Sequence, residues 1–186
     1  MGFPRRYTKQ SIYKELPIAT DREQNKACDT VALNSIKTMM DKGLSSTDET
    51  IKIVRLDVTL PVSLKGNEIF NKAQADVVKY FRRHDVNLQY VAYKHETSDG
   101  NIYRMAILAP NDQPVEDIAE KIEKVFNQKI KANDDETNVS VATGAVVPFS
   151  ESNQQSYAVA FKEASAISQV KLADSKTKVL FSSKGN

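Results

Sequence analysis

Apolar and polar residues alternate along residues 51–60, which read IKIVRLDVTL. Every second residue from Val54 to Leu60 is apolar, while Arg55 and Asp57 fall between them. A period of two, rich in β-branched residues, is typical of a strand that is buried on one face. The pattern therefore predicts a half-buried strand here, and the proline that follows ends it.

Four other stretches carry apolar residues three or four positions apart, which is the spacing of one helix face. The first stretch has Asp21 as its predicted N-cap and Gly43 as its predicted C-terminal stop. Pro114 stands at the start of the third, a position that favours proline. The predicted helices cover residues 21–42, 67–84, 114–130 and 154–171.

Two strand-like runs, residues 87–95 and 101–109, flank a polar turn that contains an Asp-Gly pair. This arrangement predicts a β-hairpin, because Asp-Gly adopts the backbone angles of tight hairpin turns. Two more strands are predicted: residues 139–147, with a bulge at Gly144 and an end at Pro148, and residues 176–183.

The order of these elements predicts an α+β fold, with one antiparallel sheet and helices packed on one face of it. The chain has 186 residues, 40% of them hydrophobic and 27% charged, which suits one globular domain. We predict an N-terminal arm and helix over residues 1–50, joined to an α+β domain over residues 51–186.

The charges nearly cancel, with 26 basic and 24 acidic residues and a net charge of +2. Any basic surface for nucleic acid must therefore come from local clustering. Cys28 is the sole cysteine and there are two histidines, which excludes an intrachain disulfide and a structural zinc site. We predict no metal and no cofactor. Cys28 is predicted to be a semi-buried residue that packs on the first helix.

Residues 1–20 show no period and predict an irregular arm. Basic side chains alternate there with Tyr7 and Tyr13, a composition suited to phosphate contacts and base stacking. A disordered or loosely docked terminus is the competing interpretation. The basic residues of the arm are Arg5, Arg6, Lys9 and Lys14.

Three stretches, in this order, resemble the core motifs of inovirus-type replication initiators, the filamentous-phage branch of the HUH rolling-circle nucleases. The resemblance covers roughly residues 51–185 and rests on the joint spacing of motifs that are each weak alone. It implies a β-α-β-β-α-β-α-β core like that of HUH and RRM-type domains. The stretches are IVRLDVTLPV (53–62), LQYVAYKHETSDGNIYRMAILAPND (88–112) and FKEASAISQVKLADSKTKVLFSSKG (161–185).

The chain departs from this family at the metal site. The family carries two histidines, two positions apart on one strand, which hold a divalent cation. Ile102 and Arg104 stand at the matching positions. Isoleucine has no ligand atom, and arginine is a permanent cation that repels a metal. Tyr103, between them, faces the other way and is assigned to the core.

The chain also departs from the family at the nucleophile. The family's last helix has a tyrosine that attacks the scissile phosphate and a lysine that assists it. Ala166 and Gln169 stand at these positions. A methyl group offers no oxygen for covalent catalysis. The resemblance therefore implies a relative that is not an enzyme.

Arg104 leads the predicted nucleic-acid-binding residues, because it projects from the face that holds the metal in the resembling enzymes. Our hypothesis is that it binds a phosphate or an acidic group directly. The competing interpretation is a surface ion pair with a neighbouring carboxylate. The other candidates outside the arm are Arg55, Lys94, Lys162, Lys176, Lys178 and Lys184.

Three functions remain open at this point. The first is a noncatalytic DNA-binding protein of a phage, satellite or other mobile element, acting on single- or double-stranded DNA to control transcription or replication. The second is a module that binds a host or phage protein, with residues 1–50 as the contact. The third is an active nuclease that holds a cation with His95, Glu96 and Asp99.

The expected compartment follows from two features that the chain lacks. No apolar run of a secretory signal follows the basic N-terminus, and no stretch approaches 18 apolar residues. We therefore predict no membrane partner. The cytoplasm of a host bacterial cell is the expected location, with association with a virion as the alternative.

Overall fold

The computed structural model describes residues 6–46, 49–61, 66–98, 100–132, 138–171 and 180–183. Within these ranges the fold is α+β, as predicted, but the strands form three antiparallel sheets rather than one, because the N-terminal segment contributes strands of its own. The helices are α1 (Thr30–Ser45), α2 (Gly66–Arg82), α3 (Val115–Lys131) and α4 (Gln154–Ser165). The strands are β1 (Tyr7–Thr8), β2 (Ile12–Tyr13), β3 (Leu16–Pro17), β4 (Lys26–Asp29), β5 (Ile51–Leu60), β6 (Gln89–Thr97), β7 (Gly100–Pro110), β8 (Ser140–Phe149), β9 (Gln169–Lys171) and β10 (Leu180–Ser182).

Five strands form the main sheet in the order β10-β6-β7-β5-β8, and all neighbouring pairs are antiparallel. The predicted hairpin is confirmed, since β6 and β7 pair from Gln89 opposite Leu108 to Thr97 opposite Gly100. The strand predicted over residues 51–60 is confirmed as β5. It lies between β7 and β8, and its first four residues are buried on both faces rather than on one.

One face of the main sheet is covered by α2 and α3, and we call it the α2/α3 face. Its core is apolar and rich in aromatic rings. Phe70 of α2 stacks on Tyr103 of β7 with ring centroids 4.2 Å apart, and lies 5.7 Å from Phe126 of α3. The hydroxyl of Tyr103 donates to Oδ1 of Asn67 at 2.9 Å. Tyr103 therefore belongs to the core, as predicted.

The opposite face is covered by α1 and α4, and we call it the α1/α4 face. The prediction of helices on one face is therefore wrong. Its physical reason lies in β6 and β7, which do not alternate: Val91, Tyr93, Ala106 and Leu108 are buried on the side away from α2 and α3. Strands with continuous apolar runs need cover on both faces.

The N-terminal segment, residues 6–29, is ordered into short strands rather than an irregular arm. β1 pairs with β4, β4 pairs with β9, and β2 and β3 form a small hairpin. The first helix consequently begins at Thr30, later than predicted. Asp29, and not Asp21, is its N-cap, because the Asp29 carboxylate accepts a hydrogen bond from the Val31 backbone N–H at 2.9 Å.

The predicted place of Cys28 also needs correction. It lies on β4 instead of a helix, and it is fully buried. Together with Ile18 it belongs to the same apolar cluster as Ile51 and Ile53 of β5. Residues on both sides of position 50 therefore contribute to one core.

Gly43 was expected to end the first helix, but α1 continues through it to Ser45. The reason is close packing against the sheet. A Cβ atom at position 43 would lie 2.3 Å from Cδ2 of Leu108 and 3.2 Å from Cδ1 of Ile51. Glycine at this position therefore lets the helix approach the α1/α4 face, at some cost in helix propensity.

The helix predicted over residues 154–171 ends at Ser165. A 3₁₀ turn, Ala166–Ser168, and then β9 follow it. Serine hydroxyls compete with the helix here, because they donate hydrogen bonds to backbone carbonyls. Ser165 Oγ donates to the Lys162 carbonyl oxygen at 2.6 Å, and Ser168 Oγ donates to the Ser165 carbonyl oxygen at 2.8 Å.

The strand predicted over residues 139–147 is confirmed as β8, with two refinements. Its register shifts opposite Arg55, where Gly144 and Ala145 face one residue of β5, so the predicted bulge is confirmed. Pro148 does not end the strand. It lies within an edge strand, where a missing N–H is tolerated.

The four helices of the described ranges have at most 17 residues each. None of them combines the length and the hydropathy needed to span a lipid bilayer.

Candidate nucleic-acid interface

A groove of about 840 Å³ lies along the N-terminal segment and reaches the start of α1. Two half-buried tyrosine rings and two exposed basic side chains contribute to it, and no carboxylate is among its described lining residues. We call it the Tyr7/Tyr13 groove. Its lining residues are Tyr7, Thr8, Lys9, Gln10, Tyr13, Arg22, Ala27 and Thr30.

The β2–β3 hairpin builds one wall of this groove. Its two turn residues, Lys14 and Glu15, both have positive φ angles, of 46° and 66°. Positive φ angles at both central residues are what a two-residue hairpin turn requires. The Lys14 ammonium donates to Oδ1 of Asn34 on α1 at 2.8 Å and lies 5.5 Å from the centre of the Tyr13 ring. The turn is thereby fixed beside the tyrosine.

Lys9 and Arg22 are brought together on the other wall. Arg22 Nε donates to the Lys9 carbonyl oxygen at 3.2 Å, and Lys9 Nζ donates to Oδ1 of Asn25 at 2.5 Å. Asn25 itself has a φ of 55°. A left-handed turn between β3 and β4 therefore sets the spacing of the two cations.

A buried carboxylate anchors the floor of the groove to the main sheet. Asp29 is 1% exposed, and its Oδ2 atom accepts from Arg6 Nε at 2.9 Å and from the Tyr93 hydroxyl at 2.8 Å. Burial, together with the hydrogen bond to Asp29, raises the pKa of Tyr93 well above its usual range. The hydrogen bond to Asp29 also raises the pKa of Arg6. Arg6, a predicted phosphate contact, therefore has a structural partner, while its guanidinium lies 5.7 Å from the ring of Tyr7.

The positions that the resemblance assigns to a metal and a nucleophile are brought to the same face. Ile102 and Arg104 alternate onto the α1/α4 face of β7. Ala166 opens the 3₁₀ turn that contacts β6 and β7. His95, opposite Ile102 on β6, has its Nε2 atom 2.9 Å from the carbonyl oxygen of Ile167. The two distant segments of the sequence therefore meet in the fold.

The last residue of α4 and the segment after it hold the N-terminal segment in place. The Ala19 backbone N–H donates to Ser165 Oγ, and Gln169 Nε2 donates to the Ala19 carbonyl oxygen, each at 2.8 Å. The Cys28 thiol donates to the same carbonyl at 3.3 Å, and burial raises its pKa to about 11. The residues flanking Ala166 thus have packing partners of their own.

Beyond the end of α4, the α1/α4 face carries charged side chains. Asp57 lies opposite Arg104, with its Oδ2 atom 3.9 Å from Arg104 Nε. Arg55 reaches Glu163 of α4 at 3.4 Å. Burial raises the pKa of Asp57, and the attraction of Arg104 and Arg55 offsets part of that rise. Arg104 thus has a neighbouring carboxylate, as the competing interpretation expected, but at a long distance.

The remaining predicted cations are not brought to either of these places. Lys94 is 8% exposed on the α2/α3 side of β6, paired with Glu96 at 2.7 Å, because it alternates away from Tyr93 and His95. Lys162 is exposed in the last turn of α4. Four predicted contacts lie outside the described residues: Arg5, Lys176, Lys178 and Lys184.

The described residues of the cation site that was considered for an active nuclease do not come together. His95 and Glu96 are consecutive on β6 and therefore point to opposite faces, and Asp99 lies outside the described residues. In the parts of the chain that the structure covers, no three histidine, cysteine, aspartate or glutamate side chains come close enough to hold a metal ion.

Sequence reasoning missed Arg22 and Asp29. Arg22 was placed inside a helix that does not reach it, and its role depends on a contact with Lys9 across the segment. Asp29 could have been predicted as the N-cap from the sequence. It shortly precedes Ala32 and Leu33, the first buried apolar residues of the helix, as an N-cap residue does.

Comparison of the chain with protein-family models, with curated proteins and with solved structures finds no match.

Proposed function

We propose that this protein is a noncatalytic binder of single-stranded nucleic acid, and that the strand lies in the Tyr7/Tyr13 groove. One observation carries the proposal: two tyrosine rings and the cations of Lys9 and Arg22 line a single groove without a carboxylate among its described lining residues. Grooves of this composition bind single strands, because rings stack on bases while cations neutralise phosphates.

Each tyrosine of the groove also has a cation beside its ring, Arg6 for Tyr7 and Lys14 for Tyr13. A nucleotide that stacks on Tyr13 would therefore have the positive charge of Lys14 near its phosphate, whereas the carboxylate of Asp29 offsets the charge of Arg6. Base–aromatic stacking contributes about 1–3 kcal/mol per base and tolerates any base. We therefore propose binding with little sequence preference.

The resemblance to rolling-circle initiators supports the absence of catalysis. The observed succession β5-α2-β6-β7-α3-β8 agrees with the order of elements that the resemblance implies. Ile102, Arg104 and Ala166 stand where those enzymes hold a metal and a nucleophile. We propose that the chain descends from such an initiator and regulates transcription or replication of a phage, satellite or other mobile element.

Fluorescence anisotropy with a labelled oligo-dT of about 12 nucleotides tests the groove. Tyr13→Ala should weaken binding about tenfold, since one stacked base is lost. Lys9→Gln and Arg22→Gln should each weaken binding. Each should also reduce the slope of log K against log salt concentration by a little under one.

Matched controls come from α2, on the other side of the sheet. Tyr80→Ala removes a tyrosine that is 37% exposed, and Arg82→Gln removes an exposed arginine. Both should leave the affinity unchanged. Equal losses in groove and control variants, or no binding at low salt, would overturn the proposal.

Incubation with supercoiled DNA and Mg²⁺ or Mn²⁺ tests the absence of catalysis. We expect no nicked product and no covalent protein–DNA adduct. An adduct on denaturing gels would contradict the noncatalytic assignment and leave the groove proposal standing.

The second candidate, a module that binds a host or phage protein through residues 1–50, is favoured by two apolar side chains. Ile12 is 58% exposed on β2 and Val31 is 52% exposed on α1. Isolated exposed apolar residues are common on protein surfaces. A protein partner whose capture is lost in Ile12→Asp, together with a chain that does not bind oligo-dT, would favour this candidate.

A further inference from the structure

Two arginines on the α1/α4 face have hydrogen-bonding capacity that the fold does not use. Arg55 and Arg104 lie on the neighbouring strands β5 and β7, diagonal to each other, because Arg55 faces Ala106 and Asp57 faces Arg104. Their side chains are 26% and 33% exposed. Ten N–H donors are thus gathered at one place on the sheet.

The carboxylates nearby satisfy few of these donors. Glu163 accepts one long hydrogen bond from Arg55, at 3.4 Å. Asp57 stays 3.9 Å from Arg104, beyond hydrogen-bonding distance. Within the described residues, the Nε atoms of both arginines are buried and have no hydrogen-bond partner. Such groups cost free energy, which a further acceptor can recover once the guanidinium groups adjust.

The backbone beside Arg55 is exposed and irregular. The bulge in β8 lies opposite Arg55, and Gly144 of that bulge approaches it so closely that a Cβ atom would be 3.2 Å from the Cβ of Arg55. The bulge residue Gly144 and its neighbours Ala142 and Thr143 are all exposed. β-Bulges are over-represented next to binding sites, where they redirect side chains.

We infer that Arg55 and Arg104 form an oxyanion site that binds a phosphate group, either free or in a nucleic-acid backbone. Guanidinium groups match phosphate oxygens with paired N–H donors, and two of them can bind one group from two sides. Asp57 acts as the competitor that the ligand displaces. The site is separate from the Tyr7/Tyr13 groove and does not depend on it.

Titration of the full chain with inorganic phosphate, followed by ¹H–¹⁵N chemical shifts, tests the site. Arg55→Gln and Arg104→Gln should each weaken phosphate binding by about tenfold or more, which is the loss of one charge-assisted hydrogen bond. Asp57→Asn should strengthen it, because the competing carboxylate is removed.

Controls with the same change of charge lie on α2. Arg82→Gln and Asp76→Asn should leave phosphate affinity within twofold of the parent protein. A general effect of net charge would change phosphate affinity as much in these α2 controls as in Arg104→Gln and Asp57→Asn, so unchanged controls distinguish a local site from it. Unchanged phosphate affinity in both arginine variants, with native-like spectra, would overturn the site.

Competition with labelled oligo-dT separates the two sources of phosphate. If Arg104→Gln weakens both phosphate and oligonucleotide binding, the site takes a backbone phosphate. If it weakens phosphate binding alone, the site takes a free phosphoanion. Both outcomes support the site, and neither depends on Tyr13→Ala, whose effect reports on the groove alone.

Discussion

The two faces of the main sheet are both covered by a pair of helices, but they differ in what they bury. The α2/α3 face holds a continuous apolar core in which the ring of Phe70 lies within 6.3 Å of four other aromatic rings. The α1/α4 face is apolar in one part only. Beside that part it holds the buried carboxylate of Asp29 and the charged set of Arg55, Asp57 and Arg104.

The α2/α3 face contributes apolar stability, and the proposed binding sites lie elsewhere. Apolar burial stabilises a fold without specifying a ligand, and the α2/α3 face provides it. Buried polar groups cost free energy unless they are paired, and this face keeps some as well, since Gln74 of α2 and Lys94 of β6 are buried. Both the Tyr7/Tyr13 groove and the arginine pair are tied to the α1/α4 face.

The largest effect is expected on the α2/α3 face. Phe70→Ala should lower the free energy of unfolding by about 4 kcal/mol, because it leaves a cavity among aromatic rings. Phe161→Ala, the matched change on α4, should cost about 3 kcal/mol, since Phe161 is buried but stacks on no other ring among the described residues. Denaturant unfolding measures both. A larger loss for Phe161→Ala would reverse the ranking of the two faces.

An intermediate effect is expected at the polar anchor of the α1/α4 face. Asp29→Ala should cost about 3 kcal/mol, because it removes a helix N-cap and leaves Arg6 and Tyr93 without their acceptor. Oligo-dT affinity should fall with it, since the floor of the groove is released. Asp29→Asn keeps the N-cap acceptor and should cost less. If the two variants unfold at the same denaturant concentration, the N-cap contributes nothing.

The smallest effect is expected at Asp57 and depends on pH. Burial raises the pKa of this carboxyl, so its ionised form opposes folding. Its contribution is fully favourable below the pKa of the unfolded chain and is lost as pH rises through the pKa of the folded protein. Asp57→Asn should therefore stabilise the protein at pH 7, by less than about 1 kcal/mol because solvent screens the site.

Thermal unfolding of Asp57→Asn at a series of pH values measures this effect. The gain in stability over the parent protein should shrink as pH falls. It should disappear below the pKa of the carboxyl in the unfolded chain, about 3.9, because the parent carboxyl is then protonated in both states. A gain that grows toward acid pH would contradict the assignment of burial as the cause.

Much of the sheet could be predicted because its signals are local. Alternation in residues 51–60 and the Asp-Gly pair between the two later strands depend on neighbouring residues only, and the strand and the hairpin that they predict are confirmed. Gly144 indicated the bulge in β8 for the same reason. The prediction of helices on one face failed, although the unbroken apolar runs of β6 and β7 carried the opposite signal.

The site could be predicted only in part, because its geometry comes from contacts across the chain. The sequence identified Tyr7, Tyr13 and Lys9 by their composition but gave no sign of a groove, which needs Arg22 and α1 beside them. It identified Arg104 and Arg55 separately. Their proximity follows from the pairing of β5 with β7, and a pairing register is not a local property.

The pairing of β4 with β9 has a consequence for the timing of folding. The strand at Lys26–Asp29 completes its small sheet with Gln169–Lys171, 141 to 145 residues later. Contacts of such long separation form late, since loop closure must come first. On a translating ribosome, Tyr7 and Tyr13 would stay exposed until residues 169–171 had emerged, so fragments that end before those residues should lack a finished groove.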